Sequence, residues 1–200
     1  MSVSEGVEVS ALLRSPERPR ALYVLAHGAG AGMRHAFMEA MALRLQSRGI
    51  ATLRYQFPYV ERGTRKIDPE PLLLATVRAA VAMGRAEAGG VPLVAGGKCM
   101  GGRMTSRAAA AEPLAGVSGL ALAKVSLPML FLQGTRDALA DLALLRPVVE
   151  RLGNRATLRV IEHADHMFHV LKKSGRTDEQ VLDELADTVA AWSQERSPRA

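Results

Sequence analysis

One thiol, one carboxylate and one imidazole stand in this chain at positions that suit nucleophilic catalysis. Cys99, the only cysteine, lies within Gly96-Gly97-Lys98-Cys99-Met100-Gly101-Gly102-Arg103. Asp137 closes Gln133-Gly134-Thr135-Arg136-Asp137, and His166 lies within His163-Ala164-Asp165-His166-Met167-Phe168. A thiol nucleophile needs a base within hydrogen-bond reach and a third group to orient that base. The order nucleophile, acid, histidine goes with a nucleophile set on a sharp strand-to-helix turn. The apolar run Val91-Pro92-Leu93-Val94-Ala95 before Cys99 and the helix-like stretch from Met104 to Ala111 after it predict that turn. Gly97 and Gly101 flank the elbow, where the backbone must pass close to its neighbours.

Each residue has a competing reading. A lone cysteine is ordinarily an inert small hydrophobe, but its place between glycines in an elbow argues for reactivity. Asp137 could cap the next helix, a role for which Asp141 is equally well placed. His163 and His169 compete with His166 as the base, and His166 is preferred. The helix start ahead of Cys99, Lys98 beside it, Arg103 one turn on and His166 all favour a thiolate. An acyl-transfer site also needs N–H donors for the developing oxyanion. The Met100 N–H is one candidate; the second is Ala29, in the loop His27-Gly28-Ala29-Gly30-Ala31-Gly32.

Other chemistries find less support. The pattern G-x-x-x-x-G-K-[ST] fails at Pro92 and Cys99, and G-x-G-x-x-G from Gly28 fails at Met33, so no nucleotide cofactor is expected. His163, Asp165, His166 and His169 cluster locally but lack a distant ligand pair with zinc spacing, so no metal is expected. The net charge is +6, with 26 basic residues of which five are lysine (66, 98, 124, 172 and 173). The basic residues are scattered and only 4% of the chain is aromatic, which argues against nucleic acid as partner. No apolar run reaches the roughly 20 residues of a membrane span. The start of the chain lacks a signal-peptide pattern, and a lone cysteine suits a reducing compartment, so a cytoplasmic location is expected.

The elements that must position these groups alternate between strand and helix. That alternation predicts a single α/β domain over 1–200, with helices flanking a mainly parallel central sheet. Expected strands are Val7 to Leu13 at an edge, Ala21 to Ala26 buried on both faces, Ile50 to Phe57 closed by Pro58, Val117 to Leu122, Met129 to Gln133, and Ala156 to Ile161. Expected helices carry Phe37, Met41 and Leu45; run from Pro71 to about Glu87; carry Leu142, Leu145, Val149 and Leu152 with a kink or restart at Pro147; and span about Asp178 to Gln194. In the last, Leu182, Leu185, Val189 and Trp192 face inward, and residues 197–200 fray. The six residues between Leu122 and Met129 are too few for a parallel crossover. Either one of these strands lies outside the sheet, or the two do not pair in parallel, or a crossover segment is missing near 122–129.

Together, His27 to Gly32, Phe57-Pro58-Tyr59, the Cys99 elbow, Gly134 to Asp137 and Asp165-His166-Met167-Phe168-His169 resemble the small bacterial α/β-hydrolases related to testis-expressed hydrolase-like proteins. The resemblance covers about 5–195. It implies the α/β-hydrolase fold without a sizeable cap, no cofactor, and a triad carried onto Cys99, Asp137 and His166. That branch reads serine where Cys99 stands; the cysteine resembles the G-x-C-x-G-G elbow of dienelactone hydrolases. Relatives carry a longer segment near 122–129. The expected activity is hydrolysis of small-molecule esters, thioesters or lactones through an acyl-enzyme in an open pocket. The alternatives are a dienelactone-hydrolase-like lactonase and a catalytically silent interaction module.

Overall fold

The continuously apolar run Ala21–Ala26 forms strand β4 at the heart of a four-stranded sheet, with five of its six residues buried. The computed structural model describes residues 1–110 and 122–195. They gather into two compact units, one over 1–110 and the other over 122–195.

The first unit opens with β1 (Ser2–Ser4) and β2 (Val7–Glu8), an antiparallel pair, followed by β3 (Ala11–Arg14). After β4 come α1 (Ala36–Ser47), β5 (Ile50–Tyr55), α2 (Pro58–Glu61) and α3 (Glu70–Glu87). Strand β6 (Leu93–Gly97) then feeds α4 (Met100–Ala109). The sheet order is β3-β5-β4-β6, with β4 parallel to both neighbours and β3 antiparallel at the edge. Helix α3 lays Leu73, Leu74, Val77 and Ala80 into a core shared with Leu22, Val24, Leu53, Tyr55, Phe57 and Met104. It can lie that close because Gly84 faces β4: a Cβ there would come 2.5 Å from Val24 Cγ2.

The second unit pairs β7 (Met129–Gly134) in parallel with β8 (Ala156–Ile161). Helix α5 (Leu142–Leu152) connects them, and α6 (Asp178–Glu195) packs against β7.

Several expectations need correction. The edge strand expected over Val7 to Leu13 is two strands, because Ser10 bonds through its N–H and hydroxyl to the Glu61 carboxylate (2.8 and 2.7 Å). Pro58 does not simply end β5, which stops at Tyr55; the proline opens α2 at its first position, where no N–H is needed. Helix α4 starts at Met100, four residues before the expected Met104. Helix α5 continues through Pro147; Ala143, whose carbonyl loses its partner, is exposed, so water can replace the lost bond. In α1 the buried stripe is Met38, Met41, Ala42 and Leu45, with Phe37 half-buried. In α6 the stripe is Val181, Leu185, Ala186, Val189, Ala190 and Ser193, which leaves Leu182 and Trp192 half-buried. Of the strand expected from Val117 to Leu122, residues 117–121 lie outside the described residues, and Leu122 is helical. Residues 197–200 also lie outside them.

Candidate active site

Cys99 sits between the end of β6 and the start of α4 with φ 52° and ψ −117°, and its side chain is exposed. A positive φ at a residue with a Cβ is a strained conformation that persists only where the surroundings enforce it. Here the Lys98 N–H donates to the Ala26 carbonyl (3.0 Å), the Gly101 N–H to Lys98 (2.9 Å) and the Arg103 N–H to Cys99 (3.1 Å). Gly97 and Gly101 supply the close approach. A Cβ on Gly101 would lie 2.6 Å from the Ala26 and His27 carbonyl oxygens, and one on Gly97 would overlap the Ala26 carbonyl. Met100 is the first helical residue, so its N–H is among those that an α-helix leaves without an internal partner. Lys98 turns its ammonium onto the Phe37 ring, 4.2 Å from the centroid.

The glycine loop after β4 lies beside this elbow. A Cβ on Gly28 would sit 3.6 Å from the Cys99 Cβ. Three bonds hold the loop around Ala29. The Tyr59 hydroxyl donates to the Ala29 carbonyl (2.8 Å), the Ala31 N–H donates to Gly28 (3.2 Å), and His27 Nδ1 lies 2.8 Å from the Gly28 carbonyl. His27 is fully buried and packs edge-on to Phe57, with ring centroids 5.0 Å apart. Its Nε2 accepts the Phe57 N–H at 3.1 Å, so the ring is neutral with the proton on Nδ1. The sequence presented His27 only as a loop residue; its signal was a histidine directly after a fully apolar strand and before the glycines.

In the second unit, His166 Nδ1 and Asp137 Oδ2 lie 2.9 Å apart, with side-chain exposures of 26% and 8%. Burial pushes the Asp137 carboxyl up, but hydrogen bonds from His166, the Leu139 N–H and Gln133 outweigh it and hold the carboxyl below its ordinary value. The ionised carboxylate can only accept, so His166 donates through Nδ1 and leaves Nε2 available as a base. Gln133 Nε2 donates to the same Oδ2 (2.9 Å) and to the Ala140 carbonyl (3.0 Å), while Leu139 and Ala140 N–H donate to Oδ1 (2.8 and 3.2 Å). Gln133 was not recognised from sequence as a positioning group; its signal is an amide at the buried end of a strand, four residues before the acid. The two loops meet because Gly134 has no side chain to strike the Ala164 carbonyl, which instead accepts the Arg136 N–H (2.9 Å).

The competing histidines are used differently. His169 Nδ1 pairs with Asp178 Oδ2 at 2.7 Å. His163, at φ 65°, donates its N–H to Thr135 Oγ1 and accepts from Arg136 at its carbonyl. Asp165 accepts the Met167 and His169 N–H groups (2.8 and 3.0 Å). Asp141, not Asp137, caps α5 through the Ala143 N–H. Among the described residues no three His, Cys, Asp or Glu side chains gather as metal ligands, and no helix is long and apolar enough to cross a membrane. Cys99, Gly28 and Met100 are thus brought together in the first unit, and Asp137 and His166 in the second.

An exposed thiol on a strained turn between a parallel strand and a helix marks the class: an α/β protein with a sharp strand-to-helix turn. The Alpha/beta hydrolase domain family matches residues 19–122 and 119–194, and the chain belongs to it. In fold it is similar to dienelactone hydrolase from Anabaena variabilis (23% identity, 99% of this chain and 97% of that one, TM-score 0.77). It is also similar to an α/β serine hydrolase without lid from Xanthomonas campestris (19% identity, 96% and 91%, TM-score 0.73). A third likeness is Est1E from Butyrivibrio proteoclasticus, bound to ferulic acid (16% identity, 95% and 99%, TM-score 0.70). No curated protein matches the chain by sequence. The fold is the α/β-hydrolase fold, with a mixed, largely parallel strand arrangement flanked by helices and no sizeable cap among the described residues.

Proposed function

We propose that this chain hydrolyses small-molecule esters, thioesters or lactones with Cys99 as nucleophile, His166 as base and Asp137 as the group that orients it. The observation that carries the reading is the φ of 52° at Cys99, strain maintained at a reactive side chain on an elbow. The Asp137–His166 pair supports the assignment of base and acid. Sulfur attacks the carbonyl carbon while His166 Nε2 takes the thiol proton, and the N–H groups of Met100 and Ala29 hold the oxyanion. The proton passes to the leaving alkoxide or thiolate as the acyl-enzyme forms. Water, deprotonated by the same nitrogen, then attacks the acyl carbon, and the cysteine sulfur leaves and regains its proton. No cofactor enters these steps. On this reading the two units form one catalytic domain, the chain acts in the cytoplasm, and kinship with the testis-expressed branch is one of sequence motifs.

A lactonase of the dienelactone type is the second reading, favoured by the cysteine and by the similarity in fold to a dienelactone hydrolase. A panel of activated esters, thioesters and lactones, assayed with wild type, Cys99→Ala and Cys99→Ser, tests both. Cys99→Ala is expected to lose about 10³-fold or more in kcat, with iodoacetamide reproducing the loss in wild type. Full activity in Cys99→Ala would remove the thiol from the mechanism. A wild type that turns over nothing would favour the silent interaction module.

A further inference from the structure

A polar cleft of about 480 Å³ lies between the antiparallel edge of the sheet and α1, lined by Arg14, Ser15, Arg34, Glu39, Gln46 and Arg54 with Leu12 and Leu13. None of these residues belongs to the proposed catalytic set. The strand register explains how the arginines converge. Leu12 pairs with Arg54 and Arg14 with Thr52, so both guanidinium stems leave the same face of the sheet. Arg34 arrives from the turn before α1.

The charges in the cleft do not balance. Three guanidinium groups face one carboxylate, leaving two positive charges without a counter-ion among the lining residues. Arg54 has a side chain only 3% exposed and uses Nη1 on the Met33 carbonyl (3.0 Å) and on Glu39 Oε1 (2.7 Å). Its Nε is buried with no partner, and so is the Nε of Arg14, whose Nη1 reaches Gln46 Oε1 at 3.3 Å. Arg34 is exposed and donates no hydrogen bond among the described residues. The Glu39 carboxyl is held below its ordinary value by the hydrogen bond from Arg54 first, and also by the fields of Arg14 and Arg34, so it remains an anion saturated with positive neighbours. Both Nε atoms are closed to solvent, so an anion in the cleft would meet these guanidinium groups at their other nitrogens.

We propose that this cleft is a binding site for a phosphate dianion, either free or as the terminal group of a small phosphomonoester. Two excess positive charges match a dianion better than a monocarboxylate, and several oxygens can each take a guanidinium edge. The open cleft leaves room for an organic group beyond the phosphate.

Calorimetric titration of orthophosphate into the full-length chain tests the site. Single-site saturable binding is expected, unchanged in Cys99→Ala, weakened about tenfold or more in Arg34→Ala and lost in Arg34→Glu. Arg14→Met should weaken it similarly, and thermal melting checks that each variant stays folded. Glycerol phosphate distinguishes the sources: binding at least as tight as orthophosphate supports an ester occupant, and binding about tenfold weaker supports free phosphate. The proposal is overturned by absent saturation, by wild-type affinity in folded Arg34→Glu or folded Arg14→Met, or by loss of binding in Cys99→Ala. Single-stranded RNA binding tighter than orthophosphate, and indifferent to Arg34, would also overturn it.

Discussion

The two halves of the proposed triad are held by opposite means. Around Cys99 the backbone itself is the instrument: carbonyls of Ala26 and His27 crowd Gly97 and Gly101, and a strained φ pushes the thiol outward. Around Asp137 the instrument is a set of directed hydrogen bonds, from His166, Gln133, Leu139 and Ala140, in a half-open setting. Steric positioning is unforgiving of added volume and indifferent to pH. Hydrogen-bonded positioning tolerates volume and responds to protons.

The largest effect should follow from filling the first region. Gly101→Val must push the Ala26–His27 backbone away, and a loss of about 3 kcal/mol by urea denaturation is expected. A wild-type midpoint would show that the close approach is dispensable. In the second region the fold should survive while chemistry fails. Asp137→Asn is expected to lower kcat roughly 10³-fold or more, with a modest drop in Tm at neutral pH. Because the Asp137 carboxyl is held below its ordinary value, its bonds stabilise the fold above the usual aspartate range, near 3.9, and fade as pH falls through the folded value. Any gap in Tm between wild type and Asp137→Asn should therefore narrow in acid.

Gln133→Leu sharpens the comparison further. The carboxylate loses a donor at the oxygen that faces His166, so the acid limb of the kcat/KM profile should move to higher pH, with a loss of about tenfold in kcat. An unmoved profile would reduce Gln133 to packing. The smallest effect belongs to the surface: Glu184→Gln breaks links to Arg159 and Arg176, yet should cost no more than about 1 kcal/mol and vary with salt.

Much of this contrast was legible in the residues. Glycines at 97 and 101 announce a crowded turn because no other residue fits there. The order Cys99, Asp137, His166 could be read because each lies in a short local pattern after an apolar strand. What the sequence hid depends on partners far along the chain. Ser10 leaves the edge strand for a carboxylate at Glu61, and alternation of apolar residues carries no record of that choice. Helix α4 begins early, at Met100, and its first turn takes glycines at 101 and 102 despite their weak intrinsic helix preference because the surrounding carbonyls leave no room for a side chain. In α6 the hydroxyl of Ser193 bonds the Ala190 carbonyl at 2.8 Å and takes the inward position expected for Trp192. The second partner of Asp137 was hidden for the same reason, since an amide at 133 has no pattern that names its acceptor.

The imidazole wedged between the Phe57 N–H and the Gly28 carbonyl sets an acid boundary for the molecule. Burial lowers its proton affinity, only partly offset by the Gly28 carbonyl, so folding favours the uncharged ring. That preference is complete above the free-histidine value near 6.5 and dissipates as pH drops through the lower folded value. Protonation would set two N–H groups against each other at Nε2, loosening the glycine loop from inside while the surface remained unaltered.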